Sequence, residues 1–384
     1  MEIKIKGGCK MKMKKKLLAL FLTMVMAASL MACGAANDDT SDTPEPDQET
    51  EAADEAAETT ESSGSDTTAE TADRSLAENV GADWEEVLLA KGYDASGDEE
   101  QEWVFICKSF TDVFTVKVMD ALEAYTKENF PNVTLALYDG EMDASKQIQQ
   151  AEDAVANDVD CIIASPSDSD GCAGIVDIAA DAGIPCVMVN TEVNNDKPYF
   201  FAGSDHYDSG QLQGEYIRDN IDASETQKIC YLEGTPGFNH TTLRKAGIFD
   251  VLDKADYNYE LLSSLTGEYY RDKGISITED WITQFGDEID IIAAANDEMA
   301  MGALQAVKAA GLTDIKILGI DANDDALEAI SNDELAFTVF QNAAGQGEWG
   351  AIAAYAACKG KEPEVLSIPY EPVSKENLSD YWTP

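Results

Sequence analysis

From residue 102 onward, short apolar runs alternate with stretches in which apolar residues return every three or four positions. The runs are rich in Val, Ile, Leu and Cys, as strands covered on both faces are, and the longer stretches carry helical spacing. Strands are predicted at 104–108, 134–138, 161–165, 186–190 and 200–202, with helices at about 116–125, 145–157, 174–182 and 209–220. A second series places strands at 229–233, 260–265, 291–295, 315–320 and 337–341. Its helices fall at 242–253, 272–285, 299–310, 326–331 and 345–358. Regular β-α alternation predicts an α/β fold of parallel sheets with helices on both faces. Two series of about five units each point to two doubly wound lobes rather than one sheet of about ten strands. A closed eight-stranded barrel is the competing architecture, and the restart near Asp205 counts against it.

The junctions between strands and helices carry the candidate chemistry. Ile291 to Ala295 read as a buried strand; Asn296 and Asp297 break it, and Met299, Ala303, Ala306 and Val307 resume at helical spacing. Asp297 suits the helix cap or its first turn, which leaves Asn296 to face a ligand at the carboxyl end of a strand. Other strands end in the same manner. The first leads to Thr111, Asp112 and Phe114, and the fourth ends at Asn190. The sixth leads through Phe238 and His240 to Arg244, and the seventh to Tyr269 and Tyr270. The ninth and tenth end at Asp321 and Gln341. One such residue alone reads as a cap. Five from both halves, joined by an Arg and aromatics, read as a binding cleft. Carboxylates, carboxamides and guanidinium present paired donors or acceptors that match vicinal hydroxyls, and aromatic faces pack on the C–H faces of a sugar ring.

Charge and composition narrow the classes. The chain has 74 acids against 26 bases, a formal charge of −48, which opposes nucleic-acid binding. Eight cysteines in 384 residues make no disulfide framework. Cys107, Cys161, Cys186 and Cys230 fall in predicted strands as small hydrophobes. With no C-x-x-C and only His206 and His240 as histidines, no metal site is expected. His206 reads as a surface residue. Gly-x-Ser-x-Gly and phosphate-loop motifs are missing, so no enzyme and no cofactor are expected. Lysines between Lys10 and Lys16, followed by apolar residues 17–31, match a secretory signal too short to span a membrane comfortably. Residues 34–75 contain no Val, Ile, Leu, Met, Phe, Tyr or Trp, and residues 34–100 carry 22 acids and 2 bases, the composition of a solvated tether. A short helix at 84–89 is expected to dock on the main domain.

Leu30-Met31-Ala32-Cys33 resembles a bacterial lipobox, which implies cleavage before Cys33 and a lipid on its sulfur. From Trp103 to about Asp380 the chain resembles type I periplasmic solute-binding proteins of ABC transporters, above all their galactose/glucose-binding branch, then the ribose-binding one. The carrying motifs are Asn296-Asp297-Glu298-Met299-Ala300-Met301-Gly302-Ala303, Gly319-Ile320-Asp321, Ala202-Gly203-Ser204-Asp205 and Ser209-Gly210-Gln211-Leu212-Gln213-Gly214. Lys146-Gln147, Glu233-Gly234-Thr235-Pro236-Gly237 and Ile368-Pro369-Tyr370 add to the match. The resemblance implies two lobes, 101–204 with 341–366 and 205–340 with 367–384, and three hinge crossings near Ser204, Gln341 and Leu366. It places Asp112, Asn190, Arg244, Asn296, Asp321 and Gln341 in hydroxyl-binding roles, and Phe114 and Tyr269 in stacking roles. Phe238 and His240 stand where the galactose/glucose branch has a His and an Asp, which alters the hydroxyl that can be read. Residues 219–227 lack that branch's calcium-loop pattern, so no calcium is expected there. The implied partners are a monosaccharide, an ABC permease with its ATPase, and the membrane through the lipid alone. The chain is expected to act as a monomer on the outer face of the cytoplasmic membrane. A pentose, inositol, nucleoside or furanosyl signal as ligand, or a sensory receptor as partner, is the alternative. The related DNA-binding repressors share the lobes, but this chain has no basic helix-turn-helix head.

Overall fold

The structure is a computed structural model that describes residues 100–383; the signal sequence, Cys33, the acidic tether and the helix expected at 84–89 lie outside the described residues. Within them the chain first lays down β1 (Gln101–Cys107), α1 (Val113–Asn129), β2 (Val133–Asp139), α2 (Ala144–Ala156) and β3 (Cys161–Ala164). It continues with α3 (Gly174–Ala182), β4 (Cys186–Val189) and β5 (Phe200–Gly203). These strands, with β11 (Val365–Ser367), form a parallel six-stranded sheet in the order β11-β5-β4-β3-β1-β2. The pleat, covered by helices on both faces, explains why its inner strands β1, β3, β4 and β5 are apolar along nearly their whole length. Trp103, Phe105 and Cys107 pack with α1 and with α9 (Ala343–Cys358), while Val104 and Ile106 pack against α2 and α3 on the other face.

The second series comprises α4 (His206–Asn220), β6 (Gln227–Glu233), α5 (Asn239–Lys254), β7 (Tyr259–Thr266), α6 (Arg271–Phe285) and β8 (Ile291–Ala294). It ends with α7 (Asp297–Ala309), β9 (Lys316–Leu318), α8 (Asp324–Ser331) and β10 (Thr338–Phe340). The parallel order is β7-β6-β8-β9. Bridges from Leu318 to Phe337 and from Asp321 to Phe340 carry it on to β10. β10 then pairs antiparallel with β12 (Glu371–Val373). Both sheets are open, so the barrel alternative falls. The short β11 and β12 were not expected, because three-residue strands carry no periodicity.

Three passages join the two sheets. Ser204 and Asp205 link β5 to α4, Gln341 and Asn342 link β10 to α9, and Ile368-Pro369-Tyr370 links β11 to β12. Leu366 lies inside β11, so the third passage falls just beyond it. Beside the first passage, α4 and α5 press backbone to backbone. A Cβ on Gly210 would overlap the carbonyl of Arg244, and one on Gly247 that of Tyr207. Only glycine permits that approach, which seats Arg244 close to the passages.

Candidate functional site

The carboxyl ends of both sheets face a common cleft. On the second-sheet side, Asn296 has extended backbone and caps α7, its side-chain oxygen accepting from Met299 N at 3.0 Å while Nδ2 donates to Tyr269 O at 3.2 Å. The cap is therefore Asn296, and Asp297 takes the second of the two places expected for it, in the first turn of the helix. Asp297 is wholly buried and accepts from Asn323 N at 2.8 Å and Thr338 Oγ1 at 2.7 Å. It fastens the loop after β9, where Asp321 and Ala322 take positive φ of 128° and 57°, a conformation that costs non-glycine residues about 1 kcal/mol or more. Burial pushes the Asp297 carboxyl up to about 6. Burial also holds Asp321 well above the usual carboxylate range, against the pull of the Arg244 charge.

Arg244 is the most connected cleft residue. It lies one helical turn after His240 on α5, and so on the same face. Its guanidinium donates to Ala295 O, to Gln341 Oε1 at 2.9 Å and to Tyr370 OH at 3.2 Å. Nε of Arg244, Nε2 of Gln341 and Nδ1 of His240 are buried without a partner, an arrangement that costs free energy until hydroxyls or water arrive. Aromatic rings wall this side. His240 lies 4.5 Å from Phe238, 4.8 Å from His206 and 5.4 Å from Tyr269, between ring centroids. Burial keeps both imidazoles neutral, His206 down at about 3 and His240 well below the usual histidine range, with nearby cations adding to the effect.

On the first-sheet side, Asp112 caps α1, and its Oδ1 accepts from Thr115 N at 2.7 Å and lies 3.9 Å from Lys108 Nζ. Burial works against ionisation here, but Lys108 and the Thr115 hydrogen bonds outweigh it and hold the carboxyl below its usual range. Phe114 follows on the helix. Asn190, at φ 69°, donates through Nδ2 to Gln346 Oε1 at 3.1 Å.

Nine of the ten residues singled out from the sequence line one small cavity: Asp112, Phe114, Asn190, His240, Arg244, Tyr269, Asn296, Asp321 and Gln341. Phe238 lines a second cavity that shares the walls of Lys108, Asp112, Phe114 and Asn296. Three further residues join them. Lys108 lines both cavities and lies 5.4 Å from the Phe238 ring centre. His206, expected on the surface, is 2 % exposed and bonded to Tyr370 OH at 2.8 Å and Asn190 O at 3.0 Å. Nothing in the polar run Ser204-Asp205-His206-Tyr207-Asp208 announces this burial. It follows from α4 starting directly at an interlobe passage. Tyr370 sits on the third passage; the Ile368-Pro369-Tyr370 motif marked the stretch but not its hydroxyl.

Two open parallel sheets, joined by three passages and facing each other across a polar cleft, define a two-lobed solute-binding fold. The chain belongs to the periplasmic binding protein family, whose domain matches residues 103–362. A Rhizobium meliloti protein named for rhizopine binding is 37 % identical over 280 residues, spanning 71 % of this chain and 89 % of that one. The ribose import binding protein of Bacillus subtilis is 29 % identical over 257 residues, 67 % of this chain and 81 % of that one. An ABC transporter solute-binding protein of Bacillus halodurans, solved with bound myo-inositol, superposes with a TM-score of 0.70 at 33 % identity, covering 74 % of this chain and 99 % of that one. These relatives carry the resemblance at the level of the family, not of its galactose/glucose branch.

Proposed function

We propose that this protein is an extracytoplasmic substrate-binding lipoprotein. It takes a neutral, monosaccharide-sized polyol of the inositol class between two closing lobes and delivers it to an ABC permease and its ATPase. The observation that carries this reading is the mixed polar lining of the cleft. Lys108 stands beside Asp112, and the Arg244 guanidinium is engaged by a carbonyl, a carboxamide and a phenol. Two neutral imidazoles and an Asp321 carboxyl that burial biases toward its neutral form complete the walls, so an uncharged ligand rich in hydroxyls meets both donors and acceptors. The walls carry both donors and acceptors, as a ring bearing a hydroxyl on every carbon requires, and Phe114, Phe238 and Tyr269 offer apolar surface for its C–H faces. The Bacillus halodurans relative with bound myo-inositol supports this class over galactose or glucose. Five or six hydrogen bonds at about 1 to 1.5 kcal/mol each, with stacking, correspond to micromolar affinity. Closure is stabilised only by the ligand's differential affinity for the shut form. In the same reading, lipid on Cys33 and the acidic stretch up to residue 100 hold the lobes at the outer membrane face.

A thermal-shift panel of myo-inositol, ribose, allose, galactose, glucose, nucleosides and amino acids, followed by calorimetry, tests the proposal. Inositol is expected to give the largest shift and a micromolar Kd. Binding of galactose or glucose alone, or of none of the polyols, overturns it.

A further inference from the structure

The hydrogen bonds around Arg244 do more than line the cleft. A guanidinium has no acceptor, so in its 3.2 Å contact with Tyr370 the Arg244 Nη2–H donates and the phenol oxygen accepts. The phenol proton is then free to go to His206 Nδ1, 2.8 Å away. The other ring nitrogen, Nε2, lies 3.0 Å from the Asn190 carbonyl, which can only accept. Every proton along this chain therefore has one place: Arg244 to Tyr370, Tyr370 to His206, His206 to Asn190. The same guanidinium nitrogen also donates to Gln341.

The route matters because of where its members sit. His206 opens α4 just after the first passage between the sheets, Gln341 lies on the second and Tyr370 on the third. The two ends, Arg244 and Asn190, come from opposite sides of the cleft and both line its inner cavity. We propose that Tyr370 and His206 are positioning residues that hold Arg244 and Asn190 at a fixed separation across the cleft, setting the geometry of the ligand site in the closed state. This rests on the polyol-binding reading given above. The polarised chain joins the two walls through the passages on which the lobes must turn, so opening the cleft breaks it and closing remakes it. His206 also lies under the His240 ring at 4.8 Å, so a shift of one imidazole disturbs the other. Buried polar groups placed only for stability would need no such path from one wall to the other.

The full chain contains two histidines, so nitrogen-15 histidine labelling resolves both rings by NMR without any ligand. His206 is expected as the Nε2–H tautomer with an Nδ1 resonance displaced by an accepted hydrogen bond. Tyr370→Phe is expected to move that resonance to the position of an unbonded imine nitrogen. For the polyol that shifts the melting temperature most, Tyr370→Phe is expected to weaken binding about ten-fold, the effect of losing hydrogen bonds to a charged group. In a His206→Phe background the same change should cost less than about two-fold, since the link from Tyr370 to the Asn190 main-chain carbonyl is already gone. An unmoved Nδ1 resonance overturns the proposal, as does an equal affinity loss in both backgrounds. If no polyol binds, the functional reading fails while the NMR result still decides whether the chain exists.

Discussion

The two walls of the cleft are built on different plans. The wall on the second sheet is fastened before any ligand arrives. Arg244 is held by a carbonyl, a carboxamide and a phenol, Asn296 by two backbone groups, and the Asp321 loop by Asp297. The wall on the first sheet is looser around Asp112, although Asn190 is held by Gln346 and His206. Asp112 keeps 28 % of its side chain exposed, and Phe110 and Val113 beside it are 38 % and 44 % exposed. Asp112 also doubles as a helix cap through one oxygen only, and Oδ2 has no partner among the described residues. A fastened wall loses little entropy on meeting ligand, whereas a loose one must be ordered. The difference suggests a division of labour: the second-sheet wall recognises, and the first-sheet wall covers.

The largest effect that tests this division comes from Arg244→Met. Removing the guanidinium strips Gln341 and Tyr370 of their donor and leaves the buried Asp321 without its nearest compensating charge. Breaking a buried charge arrangement from one side costs about 3 to 5 kcal/mol. Urea unfolding is therefore expected to show a loss of about 3 kcal/mol, and calorimetry an affinity loss of roughly a hundred-fold. Stability unchanged within about 1 kcal/mol would mean that the second-sheet wall is no more fastened than the first.

The unevenness between the walls also explains what could be read in the sequence. Strands buried on both faces announce themselves as continuous apolar runs, so every long strand and helix was legible to within a few residues. β12 was not, because Glu371-Pro372-Val373 has neither length nor pattern, and its antiparallel pairing with β10 depends on a chain return set by the hinge. The loose part of the first-sheet wall was legible because Asp112 acts locally: placed before Val113, it is a cap signature as well as a cleft group. The fastened wall was only half legible. Arg244, Asn296 and Asp321 stood out at strand ends, but His206 and Tyr370 act across 164 residues of sequence, and no local period records such a contact. That Asn296 both caps the helix and lines the cleft, while Asp297 turns inward, has the same source. Either can cap a helix, and only the distant Thr338 and Asn323 decide that Asp297 turns inward.

A smaller effect is expected on the loose wall. Asn is as good a cap as Asp, so Asp112→Asn should preserve α1 and change unfolding free energy by less than about 1 kcal/mol. Binding should still weaken about ten-fold, because a carboxylate acceptor facing the cavity is lost. Affinity loss without stability loss is the signature of a covering wall. A stability loss matching that of Arg244→Met would erase the contrast.

The finest test uses pH, because the buried groups of the fastened wall pull in opposite directions. His206 and His240 have folded values below the unfolded one of 6.5. Their neutral burial thus contributes stability above that pH, which is lost progressively as pH falls below it. Asp297 behaves the other way. Its folded value of about 6 lies above the unfolded 3.8, so the native state binds the extra proton between these values, and stability from this group rises as pH falls from 6 toward 4. Asp112, whose folded value is depressed, contributes nothing to the slope in that window; its stabilisation is lost only as pH falls below about 4. Wild type and Asp297→Asn should therefore diverge on acidification. The variant loses the opposing carboxyl while keeping both histidines, and its unfolding free energy should fall more steeply, by about 1 kcal/mol between pH 6 and 4.5. Urea titrations at closely spaced pH values check this. Parallel curves for the two proteins would show that Asp297 is ionised throughout, and the loop carrying Asp321 would then be held by a charge rather than by a carboxyl that protonates near pH 6.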